Sequence, residues 1–220
     1  MKNFILITGG AGGIGRSLAY KLKKLDLYPV IAFKTSEEQA SEIIKNTGGY
    51  AFHLDLSDES SILNFLEELE RINIKGVVLA ASSSLELKSY SKVEAADLRH
   101  HFETTIVGHH LLLRVIIKEH FKKNKSGIIV GLLSEAMGSD MKAGMSLMSD
   151  YIVSKYALKG LLSAIKKEHD WLEVETISPS FTDTNMLKSA FDERFIDLLR
   201  DQNKIEHPDT VAMKIIKLLE

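Results

Sequence analysis

Tyr151 and Lys155 stand four positions apart inside Ser149 to His169, a stretch that reads as a helix. That spacing puts both side chains on one helix face, one turn apart. A lysine ammonium there stabilises a phenolate and lowers the tyrosine's pKa below its free value of about 10, which makes tyrosine a usable general acid. Ser134 closes the apolar run SGIIVGLL, where its hydroxyl is placed to polarise a carbonyl. The Tyr-x-x-x-Lys spacing is not sufficient alone. Tyr20 and Lys24 have it too, with no serine-terminated strand upstream of them.

A second chemical signal lies near the start. Thr8 to Gly15, TGGAGGIG, carries five glycines in eight positions. Phe4 to Ile7 before it is a continuous apolar run of strand length, and Leu18, Leu22 and Leu25 after it recur at helical spacing. Strand, glycine turn and helix form a setting in which backbone amides and a helix N-terminus approach a pyrophosphate. The plainer alternative is a glycine turn without a ligand.

The elements that must position these groups alternate strand and helix. Strands are expected at Phe4–Ile7, Tyr28–Phe33, Tyr50–Leu54, Gly76–Ala81, Ser126–Leu133 and Val174–Ile177. Their apolar runs, without alternation, suit parallel strands covered on both faces. Helices are expected after the glycine loop, from Ser36 to Asn46 (ended by Gly48-Gly49), and behind an N-cap at Ser57 or Asp58. Three more are expected over about Val93–Phe121, over Ser149–His169 and over Pro208–Leu219. The pattern predicts one Rossmann-like α/β domain over residues 1–220, a doubly wound parallel sheet of about six strands with helices on both faces.

The glycine spacing, Thr-Gly-x-x-x-Gly-x-Gly through Gly9, Gly13 and Gly15, resembles the short-chain dehydrogenase/reductase family. Asp55-Leu56, Ser134, Tyr151 with Lys155, and SPSFTDTNM with Pro179 and Thr184 match the family's motifs in order over most of the chain. The resemblance implies an NAD(P)H-dependent oxidoreductase in which Ser134 holds a ketone oxygen and Tyr151 protonates it. Lys155 would bind the nicotinamide ribose. It further implies cofactor contacts from Thr8, Gly9, Gly13, Ile14, Gly15, Asp55, Leu56, Ala80, Pro179 and Thr184.

After the second strand come Lys34, Thr35 and Ser36, with no acid before Glu37. A cation with hydroxyls there welcomes a ribose 2′-phosphate, which an acid would repel. The segment VIAFKTSEEQA also resembles beta-ketoacyl-acyl-carrier-protein reductases. The expectation is NADPH over NADH, with a 3-oxoacyl thioester or other small ketone as substrate. The rival reading is a nucleotide-binding sensor or partner subunit of the same family without useful catalysis.

Several departures shape these expectations. Leu79-Ala80-Ala81-Ser82 replaces the family's Asn-Asn-Ala-Gly, removing side-chain hydrogen bonds that tie that strand into the sheet. Thr105, three residues before Gly108, stands where relatives carry an asparagine that supports proton resupply to the lysine. Ser134 and Tyr151 are 17 positions apart, wider than usual, and Met137, Met141, Met145 and Met148 fall in or beside the interval. These either line an apolar pocket or fill gaps at a contact. Ser180 replaces a glycine, Glu135 is expected to be exposed, and the family's last strand is expected to be missing.

The long helix and the Tyr151 helix are expected to pair in a homodimer. The His100-His101 and His109-His110 pairs suggest a metal, but neighbours on a helix point apart and no acid stands at ligand spacing, so helix surface or subunit contact is expected. No metal site is predicted.

Composition sets the outer limits. The 220 residues are 45% hydrophobic, enough for one sizeable core, and the formal net charge of -2 gives no reason to expect nucleic acid. There is no cysteine, hence no disulfide or thiolate site. MKNFILITGG is too short an apolar start for a signal peptide or membrane span, so a cytoplasmic protein is expected.

Overall fold

The computed structural model describes residues 2–138 and 144–220. Six parallel strands form one sheet: β1 (Asn3–Thr8), β2 (Leu27–Phe33), β3 (Tyr50–His53), β4 (Ile74–Leu79), β5 (Ile128–Leu132) and β6 (Glu173–Ile177), in the spatial order β3-β2-β1-β4-β5-β6. In register, Ile7 of β1 sits between Ile31 of β2 and Val78 of β4. Successive side chains of a strand point to opposite faces, so β1 feeds two cores at once. Phe4 and Leu6 pack on one side, Ile5 and Ile7 on the other.

The Ile5 side is covered by α1 (Gly13–Lys21), α2 (Glu37–Thr47) and α9 (Pro208–Leu219), through Leu18, Ile43, Val211 and Ile215. The Phe4 side is covered by α3 (Glu59–Leu69), the long helix and α6 (Ser149–Glu168), through Phe65, Leu112, Ile116, Leu158 and Leu162. Each such fully buried aliphatic or aromatic side chain stabilises the fold by about 1.5–3 kcal/mol over leaving it in water. The chain winds outward from β1 to β3 and then returns beside β1 with β4. Strand order therefore reverses between β1 and β4, and their carboxyl ends open a crevice there.

Most expected boundaries hold within two residues. Asp58 is the cap of α3, its carboxylate accepting from the Ser60 amide, whereas Ser36 precedes α2 without a side-chain cap bond. The long helix differs from the single α-helix expected. It begins as α4 (Ala95–Phe102), widens to a π-helical segment over Glu103–Gly108, continues as α5 (His109–Ile116) and widens again over Ile117–Phe121. Such wide turns re-aim side chains and recur at functional sites.

The stretch after β6 also holds elements beyond those expected. These are β7 (Phe181–Thr182), α7 (Asn185–Ala190), α8 (Glu193–Asp201) and β8 (Ile205–Glu206), with β7 and β8 paired in parallel. Phe181, Phe191 and Phe195 hold this flap together, the last two rings stacked at 4.8 Å. β7, β8 and α7 are too short to show a period, whereas α8 carries one, with Phe195, Ile196 and Leu199 at helical spacing.

Candidate active site

A cleft of about 1190 Å³ lies over the carboxyl ends of the strands. All the expected site residues line it except Thr105: Thr8, Gly9, Gly13, Ile14 and Gly15 of the glycine loop, Lys34 to Ser36, Asp55 and Leu56, Ala80, Ser134, Tyr151, Lys155, Pro179 and Thr184. One end is built of backbone. Gly9 has φ +63°, and a Cβ there would meet Ala81 Cα at 2.9 Å. A Cβ on Gly13 would meet Thr184 Cγ2 at 2.5 Å, so the loop is pressed between β4 and the flap. The N-terminus of α1 opens on this cradle, with Gly12 as its cap residue. The backbone-lined part of the cleft beside the α1 N-terminus fits a dinucleotide pyrophosphate.

Lys34 and Asp55 were expected to serve separate parts of a cofactor. The structure joins them, Nζ to Oδ2, at 2.7 Å. Burial would raise the Asp55 carboxyl, but hydrogen bonds from Lys34 and from the Ser57 hydroxyl and amide outweigh it and hold the carboxyl down at about 2.

At the other end, Tyr151 and Lys155 project from α6 and Ser134 from the turn after β5. Ser134 Oγ accepts from the Ala136 amide at 3.2 Å. Lys155 is only 3% exposed, its Nζ donates to the Leu132 carbonyl at 2.9 Å, and burial brings its pKa down to about 8. The expected lowering of Tyr151 is not what this geometry produces. Burial pushes the phenol upward, with the Ser134 hydroxyl opposing, while Lys155 Nζ stands 5.5 Å from the ring centre and bonds to a carbonyl instead. Beyond Tyr151 the wall is apolar, with Leu85, Met145, Met148, Met186 and Phe191. Met137 packs into the core, and Met141 lies outside the described residues. Glu135 is exposed, as expected.

Thr105 lies behind this end, fully buried. Its hydroxyl has no hydrogen-bond partner among the described residues, and its carbonyl accepts from His109 Nδ1 at 3.0 Å. A carbonyl only accepts, so Nδ1 carries the proton and Nε2 is left to accept from the Thr8 hydroxyl at 3.0 Å. Thr8 Oγ1 in turn accepts the Ala81 amide at 3.2 Å. This chain of bonds ties the end of β4 to β1 and the long helix in place of the family asparagines. Burial holds His109 neutral, with a pKa near 4.

The histidine expectation is thus corrected for one member of each pair. His101 and His109 are interior and only His100 and His110 are exposed. His101 also meets an acid remote in sequence, Nε2 standing 3.6 Å from Asp150 Oδ2. The sequence signal for this polar wall was the four-residue stepping of His101, Thr105 and His109.

The family model for short chain dehydrogenase matches residues 3–194. The chain belongs to that family. It is 28% identical to an NADPH-dependent pterin aldehyde reductase of Arabidopsis thaliana, over 85% of this chain and 78% of that protein. It is 26% identical to an NADP-dependent 3-hydroxy acid dehydrogenase of Schizosaccharomyces pombe, over 96% and 85%. The fold superposes on the 3-ketoacyl-(acyl-carrier-protein) reductase of Brucella melitensis complexed with NADH with a TM-score of 0.86, at 21% identity over 99% of this chain and 91% of that one. On actinorhodin polyketide ketoreductase with NADPH the TM-score is 0.88, at 18% identity over 100% and 90%.

As a short-chain dehydrogenase the protein is an NAD(P)-dependent oxidoreductase. Among the described residues no helix is long and apolar enough to cross a membrane.

Proposed function

We propose that this short-chain dehydrogenase is an NADPH-dependent carbonyl reductase acting on a ketone with an apolar extension, a 3-oxoacyl thioester being the leading class. One observation carries the reading: Ser134, Tyr151 and Lys155 converge at one end of a cleft whose other end is the glycine cradle, with a methionine- and phenylalanine-lined wall between Tyr151 and solvent. The nicotinamide cofactor supplies the hydride when bound. Ser134 holds the ketone oxygen, and Tyr151 O–H donates to it and gives up its proton as the alcohol forms. Lys155, with a pKa of about 8, keeps its ammonium at neutral pH and faces the Tyr151 ring, where it offsets the developing phenolate.

The glycine loop, Asp55, Leu56, Ala80, Pro179 and Thr184 hold the cofactor, and Lys34 with Thr35 and Ser36 select its 2′-phosphate. Lys34, which pairs with Asp55 at 2.7 Å, would release that carboxylate to hold a 2′-phosphate, the flexible lysine stem carrying the charge from one anion to the other. NADPH over NADH is further supported by the names of the two curated relatives. We also propose a homodimer through the long helix and α6, whose exposed apolar residues include Leu98, Val107, Val153 and Tyr156. Light scattering on a sizing column would report a monomer if this pairing is wrong.

The primary test follows NADPH absorbance with a ketone panel that includes an acetoacetyl thioester, NADH alongside. Turnover that Tyr151→Phe removes supports the reading. Tight NADPH binding with no turnover on any ketone would sink it and mark a nucleotide-binding protein instead.

A further inference from the structure

The long helix sets His101, Thr105 and His109 at four-residue steps against α6, each 3% exposed or less. His109 is accounted for by its bonds to Thr8 and Thr105. His101 is not. Its ring meets the Tyr151 ring edge-on, centroids 6.1 Å apart and planes at 76°. Its Nε2 faces Asp150 Oδ2 at 3.6 Å, ion-pair range rather than hydrogen-bond range, and its Nδ1 has no partner among the described residues. Asp150 is 2% exposed, and its other oxygen accepts the Tyr151 amide at 2.9 Å. A carboxylate and an imidazole are therefore sealed together against the proposed acid, and the mechanism above uses neither.

We propose that the His101–Asp150 pair is a positioning device that ties the working geometry of Tyr151 and Lys155 to the protonation of His101. With a neutral imidazole, the ring edge supports the phenol and Lys155 is the cation of the site. When His101 takes a proton from solvent, the imidazolium closes on Asp150, leaves its contact with the Tyr151 ring and sets a second positive charge opposite Lys155.

The inference rests on the reductase reading of Tyr151. The groups that face His101 are Asp97 and His100 on its own helix and Asp150, Tyr151 and Lys155 on α6. Burial, His100 and Lys155 disfavour the imidazolium, while Asp150 and Asp97 favour it. Asp97 is itself engaged by Lys88 at 2.6 Å. The balance holds His101 below an ordinary imidazole, so the neutral state prevails at neutral pH and the change falls on the acid side.

The test combines an NMR titration of the His101 ring, assigned by its loss in His101→Gln, with kcat/KM for a reduced ketone from pH 4.5 to 8. Wild type is expected to show an acid limb whose midpoint matches that of the His101 resonance. His101→Gln loses the limb. Asp150→Asn removes the charge that favours the imidazolium, so it moves both midpoints to lower pH by half a unit or more, and Asp150→Glu restores them. A purely structural role would scale activity equally at every pH.

The proposal is overturned if His101→Gln keeps the wild-type limb, or if the His101 midpoint stays fixed or rises in Asp150→Asn. Should His101→Gln fail to fold, the acid limb of kcat/KM in Asp150→Asn decides alone: a shift to lower pH supports the proposal, and an unmoved or raised midpoint overturns it. Should no ketone turn over at any pH, the reductase reading fails, and the same NMR midpoints still decide whether the pair exists.

Discussion

The two ends of the cleft hold groups of the same chemical kinds under opposite conditions. At the glycine end the polar contacts are backbone and half-exposed side chains, with Lys34 54% exposed and bonded to Asp55. At the Tyr151 end, Lys155, Asp150, His101, Thr105 and His109 are each 3% exposed or less. The shifted group at the first end is Asp55, moved by its partners against the pull of burial. At the second end burial itself does the shifting, taking Lys155 to about 8 and His109 to about 4. An end tuned by neighbours tolerates graded change. A wall tuned by desolvation does not, because each lost partner leaves a polar atom without water.

The largest effect should come from the wall. Tyr151→Phe removes one hydroxyl and is expected to lower kcat by about 10²–10⁴-fold while NADPH affinity, read by fluorescence titration, stays within about twofold. An equal loss in both would blur the division between the two ends.

Next is acid stability. His109 has a folded pKa near 4 against about 6.5 unfolded, so the folded state binds fewer protons between those values. Its contribution is fully present above pH 6.5 and is lost as pH falls toward 4, amounting to about 3 kcal/mol. Urea midpoints measured from pH 7 to 4 should fall accordingly. In His109→Leu that slope should flatten, and stability at pH 7 should drop by about 2–4 kcal/mol as Thr8 and Thr105 lose their partner.

The glycine end should answer more gently. Lys34→Ala is expected to weaken NADPH about tenfold, since an exposed cation contributes modestly after exchanging Asp55 for a phosphate. NADH affinity should change by less than about twofold. Equal weakening of both cofactors would mean that Lys34 serves the fold rather than the phosphate. Smallest is Asp58→Ala, a helix cap outside the cleft, expected to cost about 1 kcal/mol with turnover unaltered. A loss of turnover there would break the contrast between cleft and scaffold.

Much of the glycine end was legible along the chain. Each signal there is local: five glycines between a strand and a helix, Asp55 closing β3, Lys34 closing β2. The Tyr151–Lys155 pair is equally local, one helical turn, and Ser134 needed only a strand end. The polar wall was not legible. His101 and His109 looked like solvent-facing members of histidine pairs, because sequence spacing tells which residues share a helix face but not which face is inward. The π-helical turn over Glu103–Gly108 then re-aims that face. The flap from Phe181 to Glu206 escaped in part because β7, β8 and α7 are too short to show a period and its segments are joined by aromatic contacts, although the period of α8 was there to be read.

The order of residues alone therefore determined the doubly wound sheet, the strand, glycine turn and helix at its start, and the one-turn spacing of Tyr151 and Lys155, all consequences of periodicity and short-range spacing. Tertiary structure decided the protonation state of His109, the pairing of Lys34 with Asp55 and the meeting of His101 with Asp150. Those depend on burial and on charges brought together from distant parts of the chain, and neither can be read from a position's neighbours in sequence.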